Sequence, residues 1–123
     1  MTFDGKHVIV LDDEIATGGS VLQLLDLLEA QGSRSAAIAC THGLFTGRAV
    51  ERLSGHPRIT EVVTTDTVPP PAVWPALKLR SVAGLFAEAI SRIHAGESVS
   101  SLFDGVDPAH GPPQARLPFD EDS

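Results

Sequence analysis

Apolar and polar positions along the chain follow two rhythms. His7-Val8-Ile9-Val10-Leu11 is a short, β-branched apolar run that ends in acid at Asp12. So continuous a run predicts a parallel strand over residues 7–12, buried on both faces. Residues 19–31 follow the helical rhythm: Val21, Leu22, Leu24, Leu25 and Leu28 make a broad apolar stripe, and Gln31-Gly32 reads as its C-terminal stop. Ala36 to Thr41 predicts a second strand, Arg48 to Leu53 a short helix, and Glu61 to Thr65 a third strand closed by Asp66-Thr67. Val68 to Pro75 holds four prolines, which excludes regular helix and central strand. Leu77 to Val82 predicts a fourth strand. A last helix follows over 83–95, with Val82, Leu85, Phe86, Ala89, Ile90 and Ile93 on one face. Ser98 to Phe103 is short and β-like.

This alternation predicts an α/β fold, a mostly parallel sheet flanked by helices. Four short strands make a thin sheet, and the first is apolar enough to expect neighbours on both sides. An incomplete domain, or one that depends on a partner, is the expectation. The 123 residues leave room for one domain, placed at 1–103. Residues 104–123 turn rich in Pro, Gly and Asp and end in Asp-Glu-Asp-Ser, which predicts a disordered acidic tail.

Composition then narrows the partners. A net charge of −7 gives no basic footprint for nucleic acid or an anionic membrane. The one cysteine, Cys40, rules out an internal disulfide framework and lies in an apolar run, as a core residue would. The first residues do not read as a signal peptide, and no apolar run is long enough to span a bilayer, so a soluble cytoplasmic protein is expected. His7, His56, His94 and His110 share no ligand spacing, so no zinc site is expected. His42, at a strand's carboxyl end, suits either a ligand pocket or a hydrogen bond to backbone. Asp66 suits a turn or the rim of a site. Trp74, among prolines, suits a packing cap or a subunit contact.

The chemistry concentrates in Val10-Leu11-Asp12-Asp13-Glu14-Ile15-Ala16-Thr17-Gly18-Gly19-Ser20. It falls where a strand ends and a helix starts, the place where open α/β sheets bind ligands. A helix N-terminus offers unpaired N–H groups and the positive end of its dipole. Gly18 and Gly19 have no side chain to block a phosphate, Thr17 and Ser20 add hydroxyls, and Ser20 is a candidate N-cap. Carboxylates beside such a loop suit the vicinal hydroxyls of a sugar, or Mg²⁺ held directly or through water. Acid at one end and an anion cradle at the other fit a phosphorylated sugar spanning both. The plainer reading is a polar strand end and a capped helix with no ligand.

"DDEIATGGS" resembles the phosphoribosyl pyrophosphate (PRPP) motif of the type I phosphoribosyltransferase fold. "THGLFTGRAVERL", "EVVTTDTVP" and "SVAGLFAEAISRIHAGESVSSLF" resemble successive blocks of the C-terminal part of ribose-phosphate pyrophosphokinase, or PRPP synthetase, from about Gly5 to Phe103. The resemblance implies a phosphoribosyltransferase-like fold, present as a partial domain. It implies ribose 5-phosphate and ATP as substrates, Mg²⁺ as cofactor, and transfer of the β,γ-diphosphoryl group to the sugar's 1-hydroxyl, giving PRPP and AMP. Carried over, Asp12 and Asp13 face the ribose hydroxyls, and Ala16, Thr17, Gly18, Gly19 and Ser20 surround the 5-phosphate.

Two departures qualify this. The common synthetase motif has Asp where this chain has Ala16, and Ala there also occurs in adenine phosphoribosyltransferase-like motifs. The chain resembles only roughly the last third of a synthetase, without the part that in the family supplies much of the ATP site, metal-binding His and Asp residues and the flexible catalytic loop. Lys6, Arg48 and Lys78 form no recognisable cationic clamp, so little activity is expected from this chain alone. Three readings stay open: an enzyme piece that pairs with a synthetase N-terminal half or forms a homo-oligomer, a non-catalytic module associated with a full-length synthetase, and, ranked last, a phosphoribosyltransferase.

Overall fold

The computed structural model describes residues 2–103; the expected acidic tail lies outside them. The chain divides into two compact units, Met1–Ser81 and Val82–Ser123. The first holds β1 (His7–Ile15), α1 (Gly19–Ala30), β2 (Ser35–Gly43), α2 (Ala49–Ser54), β3 (Ile59–Thr65) and β4 (Leu77–Arg80). The second holds α3 (Ala83–His94) and a 3-10 turn at Ser100–Leu102, so the β-like expectation for Ser98 to Phe103 is overturned.

All four strands are parallel and lie in the order β1-β2-β3-β4. Successive right-handed crossovers that step one way across a sheet put their helices on one face. The buried set fits: Val10, Ile38, Val62 and Leu77 from the strands cluster with Val21, Leu25 and Leu28 of α1 and Ala49 and Leu53 of α2. At the amino ends of the strands, Arg58 ties the layers together. Its guanidinium meets Glu29 at 2.9 Å and donates to the Ser33 carbonyl at 2.6 Å.

The other face is bare of α1 and α2. Side chains alternate along a strand, so Ile9 and Leu11 point away from Val10, and they are 73% and 78% exposed. The expectation that β1 is buried on both faces is therefore overturned. Among the described residues β1 is an edge strand, and α1 and α2 both lie on one side of its sheet. It also runs three residues further than predicted, to Ile15, which draws the acids Asp12, Asp13 and Glu14 into the strand.

In the second unit, α3 has the expected amphipathic spacing, but its residues Leu85, Phe86, Ile90 and Ile93 are exposed and none of the helix is buried. Arg92 pairs with Glu88 at 2.8 Å and also meets the Ser101 hydroxyl.

Candidate functional site

The carboxyl end of β1 and the start of α1 enclose a concavity of about 180 Å³. It is lined by Asp12, Glu14, Ile15, every residue from Ala16 to Ser20, and Val21. Because β1 continues through the acids, Asp12 and Glu14 fall on one side of the strand and Asp13 on the other. Asp12 thus lines the concavity as the sequence predicts, Glu14 joins it, and Asp13 stands outside it. Two residues' spacing within an extended segment was the signal for Glu14.

The loop shape rests on Gly18. Its φ is +80°, a left-handed turn that an L side chain adopts only with strain, and it hands the chain directly into α1. The space beside it is ordinary, with the nearest side-chain atoms, from Ala49 and Leu53, at 3.9 Å from an added Cβ, so conformation and not crowding demands glycine. Gly18 is itself the N-cap; Ser20 lies inside the helix, which corrects its reading as a cap. No side chain caps α1, and no acid sits in its first turn. Its leading N–H groups therefore keep their donors and their positive field for something else.

A second loop braces the first. The amides of Leu44 and Phe45 donate to the Ile15 carbonyl at 3.0 and 3.1 Å, and the Thr46 amide donates to the Ala16 carbonyl at 2.8 Å. Phe45 adopts φ 48° and is buried, edge-on to Trp74 with ring centroids 5.4 Å apart. Its ring covers Gly43, where an added Cβ would come within 2.5 Å of it. Trp74 is thus a core residue; its Nε1 has no hydrogen-bond partner among the described residues.

Electrostatics at the strand ends are local. A hydrogen bond with the Asp12 side chain, then backbone N–H groups of Glu14 and Asp13 itself, hold the Asp13 carboxyl below its ordinary range, with a smaller pull from His42. The Thr65 and Thr67 hydroxyls both donate to the Thr41 carbonyl, at 2.6 and 3.1 Å. Thr67 Oγ1 also lies 2.7 Å from His42 Nδ1, a hydrogen bond between the two side chains. His42 therefore bonds to a side chain, not to backbone. Asp66 accepts from the Ser81 hydroxyl at 2.6 Å. Burial pushes the Cys40 thiol up, and its Sγ lies 3.4 Å from Thr64 Oγ1 in the core.

No group of three or more His, Cys, Asp or Glu side chains among the described residues is arranged to hold a metal. Asp12 and Glu14 do fit the way Mg²⁺ is usually bound, by one or two carboxylates with water and substrate phosphate completing the shell. No described helix is long and apolar enough to cross a membrane.

The strand end thus turns through a left-handed glycine into an uncapped helix, with carboxylates beside it, at the carboxyl end of a parallel α/β sheet. The chain belongs to the phosphoribosyl synthetase-associated domain family, whose profile matches residues 2–104. A Streptomyces coelicolor protein provisionally named ribose-phosphate pyrophosphokinase is 57% identical over 81% of this chain and 32% of its own. The ribose-phosphate pyrophosphokinase of Caldanaerobacter subterraneus subsp. tengcongensis is 48% identical over 80% of this chain and 32% of its own. The crystal structure of phosphoribosylpyrophosphate synthetase from Mycobacterium smegmatis superposes with a TM-score of 0.72 at 32% identity, covering 78% of this chain and 33% of that one. The chain thus spans about a third of the length of these relatives.

Proposed function

We propose that this chain is the ribose 5-phosphate-binding portion of a ribose-phosphate pyrophosphokinase, working in the cytoplasm. The observation that carries this reading is the single concavity shared by an uncapped helix N-terminus and two carboxylates. The amides from Thr17 to Ser20 and the Thr17 and Ser20 hydroxyls surround the 5-phosphate. Hydrogen bonds to a charged partner contribute about 1.5–3 kcal/mol each, so a few of them retain a phosphate despite the net charge of −7. Asp12 accepts hydrogen bonds from the ribose hydroxyls, with Glu14 beside it. Asp13, on the other side of the strand, adds its charge at the sugar end.

The reaction joins the sugar's C1 oxygen to the β-phosphorus of ATP. The bond from that phosphorus to the α–β bridging oxygen breaks, AMP leaves, and the hydroxyl proton passes to solvent. Mg²⁺, when bound with the donor phosphates, neutralises charge there. This chain's residues hold and orient the acceptor; ATP and the cations around it are held by the remaining two thirds of a synthetase. With Ala16 where the common motif has Asp, the sugar end lacks a carboxylate at that position.

Calorimetric titration with ribose 5-phosphate, with and without Mg²⁺, tests this. Saturable binding is expected, and an Asp12→Asn, Ser20→Ala double variant loses it. No heat from a chain that circular dichroism shows to be folded would sink the reading. A second reading, a non-catalytic partner of a full-length synthetase, is favoured by the span of one third of the relatives and by the lack of a cationic clamp among the described residues. It keeps the same binding and predicts a changed rate when the chain is added to an intact synthetase.

A further inference from the structure

A net charge of −7 works against any phosphate, so the place of each cation matters. No cation lines the concavity among the described residues; its donors are N–H groups and hydroxyls. Lys6, Arg34 and Arg58 directly precede β1, β2 and β3, which puts them at the amino ends of the strands, away from the Ala16–Ser20 cradle. Lys78 and Arg80 lie on β4, at the opposite edge of the sheet from β1. Among the described residues of the first unit this leaves Arg48, the N-cap residue of α2, and Arg52 within that helix.

Arg48 is bracketed by two contacts with the cradle. On one side, the Thr46 amide donates to the Ala16 carbonyl at 2.8 Å. On the other, the buried Ala49 methyl lies 3.9 Å from the point where a Cβ on Gly18 would sit. The Ala49 amide donates to the Thr46 carbonyl at 3.1 Å, so residues 46–49 form one turn laid along the cradle. Gly47, inside that turn, has nothing within 4 Å of its Cβ position, so the space beside Arg48 is open. Consecutive Cα atoms are about 3.8 Å apart. The Arg48 stem thus starts one residue from the methyl that touches Gly18.

The guanidinium itself lies along α2. Its Nε donates to Glu51 Oε2 at 2.9 Å and a terminal nitrogen donates to Oε1 at 2.8 Å, a two-pronged grip on a carboxylate. A phosphate offers the same pair of acceptor oxygens with more charge. The grip on Glu51 is easily given up, because both side chains are largely exposed and such pairs contribute little. Exposed side chains change rotamer within nanoseconds.

We propose that Arg48 is a phosphate-binding arm of the Ala16–Ser20 cradle: Glu51 holds it in the ligand-free chain, and it swings to the 5-phosphate when the sugar phosphate binds. The exchange involves hydrogen bonds only. It supplies from a side chain the positive charge that the loop amides lack. The proposal deepens the ribose 5-phosphate reading and rests on it.

The test is calorimetric titration of the full chain with ribose 5-phosphate. Arg48→Ala is expected to weaken binding at least tenfold, as loss of hydrogen bonds between charged groups does. Arg48→Lys keeps the charge without the fork and recovers part of the loss. Glu51→Gln frees the arm and tightens binding about threefold, the opposite sign to damage of the fold. Arg52 lies one turn further on, its amide bonded to the Arg48 carbonyl. Arg52→Ala makes the same change in net charge and shifts affinity less than twofold. Circular dichroism checks that each variant folds. A direct readout is the Arg48 Nε–H resonance in nitrogen-edited NMR, identified by its absence from Arg48→Ala. It moves on addition of ribose 5-phosphate and stays still with ribose. Unchanged affinity in Arg48→Ala, equal losses in Arg48→Ala and Arg52→Ala, weaker binding by Glu51→Gln, or an Nε–H signal indifferent to ribose 5-phosphate would each overturn the arm and leave the substrate reading standing. A folded parent chain that binds no ribose 5-phosphate overturns the substrate reading, and the arm with it.

Discussion

The two faces of one sheet differ in what their side chains meet. Ile38 and Ile9 belong to adjacent strands and have the same chemistry, yet Ile38 is fully buried under the helices and Ile9 is 73% exposed. Strand residues of one kind thus do opposite work. On the covered face they hold the protein together, and on the bare face they stay in contact with water. Hydrophobic stabilisation follows the area removed from water, so only the first set contributes to the stability of the chain by itself.

Substitution sharpens this contrast most. Ile38→Ala is expected to cost about 2–5 kcal/mol, the usual range for emptying a core site, read as a large drop in urea midpoint. Ile9→Ala changes the same midpoint by at most about 0.5 kcal/mol. Equal losses at both positions would mean that the bare face is covered in solution, and would erase the distinction.

The two glycines at strand ends come next. Gly43→Ala drives a methyl group into the Phe45 ring and Thr64 Oγ1 and is expected to destabilise by about 1–3 kcal/mol through overpacking. Gly18→Ala meets no crowding and costs about 1–2 kcal/mol through its left-handed backbone. The sugar-phosphate titration separates them: Gly18→Ala loses affinity by tenfold or more, whereas Gly43→Ala stays near the parent once folded.

Cys40 gives a smaller signal. Its thiol is pushed up by burial first, so the folded state holds its proton more tightly than the unfolded chain. Stability is then unaffected below the ordinary thiol range of about 8.5 and falls as pH rises past it. Alkylation at pH 8 is expected to track unfolding. Fast labelling of the native chain would show that the covered face opens. The smallest effect is at Arg48 and Glu51, a fully exposed pair at 2.8 Å whose mutual hydrogen bond raises one group and lowers the other. Arg48→Ala is expected to leave the thermal midpoint unchanged.

Much of this was legible along the chain because it is local. Period-two and period-3.6 patterning located every strand and helix of the first unit to within a few residues, and Gly18-Gly19 marked the turn into α1. Glu14 was missed because β1 was ended at Asp12; an extended backbone through Ile15 pairs Asp12 with Glu14 and turns Asp13 away. The buried bracing by Phe45 was also out of reach. It joins residues of different elements, and nothing near Phe45 in sequence announces a ring against Gly43 and Trp74.

What the sequence determined by itself is the order of elements, the glycine that starts α1, and the family resemblance, since each depends on neighbours a few residues apart. What only the tertiary structure decided is which apolar residues are core. Val10 and Leu11 are adjacent and equally apolar, but one faces α1 and the other faces open space, because strand order and crossover handedness put both helices on one side of the sheet.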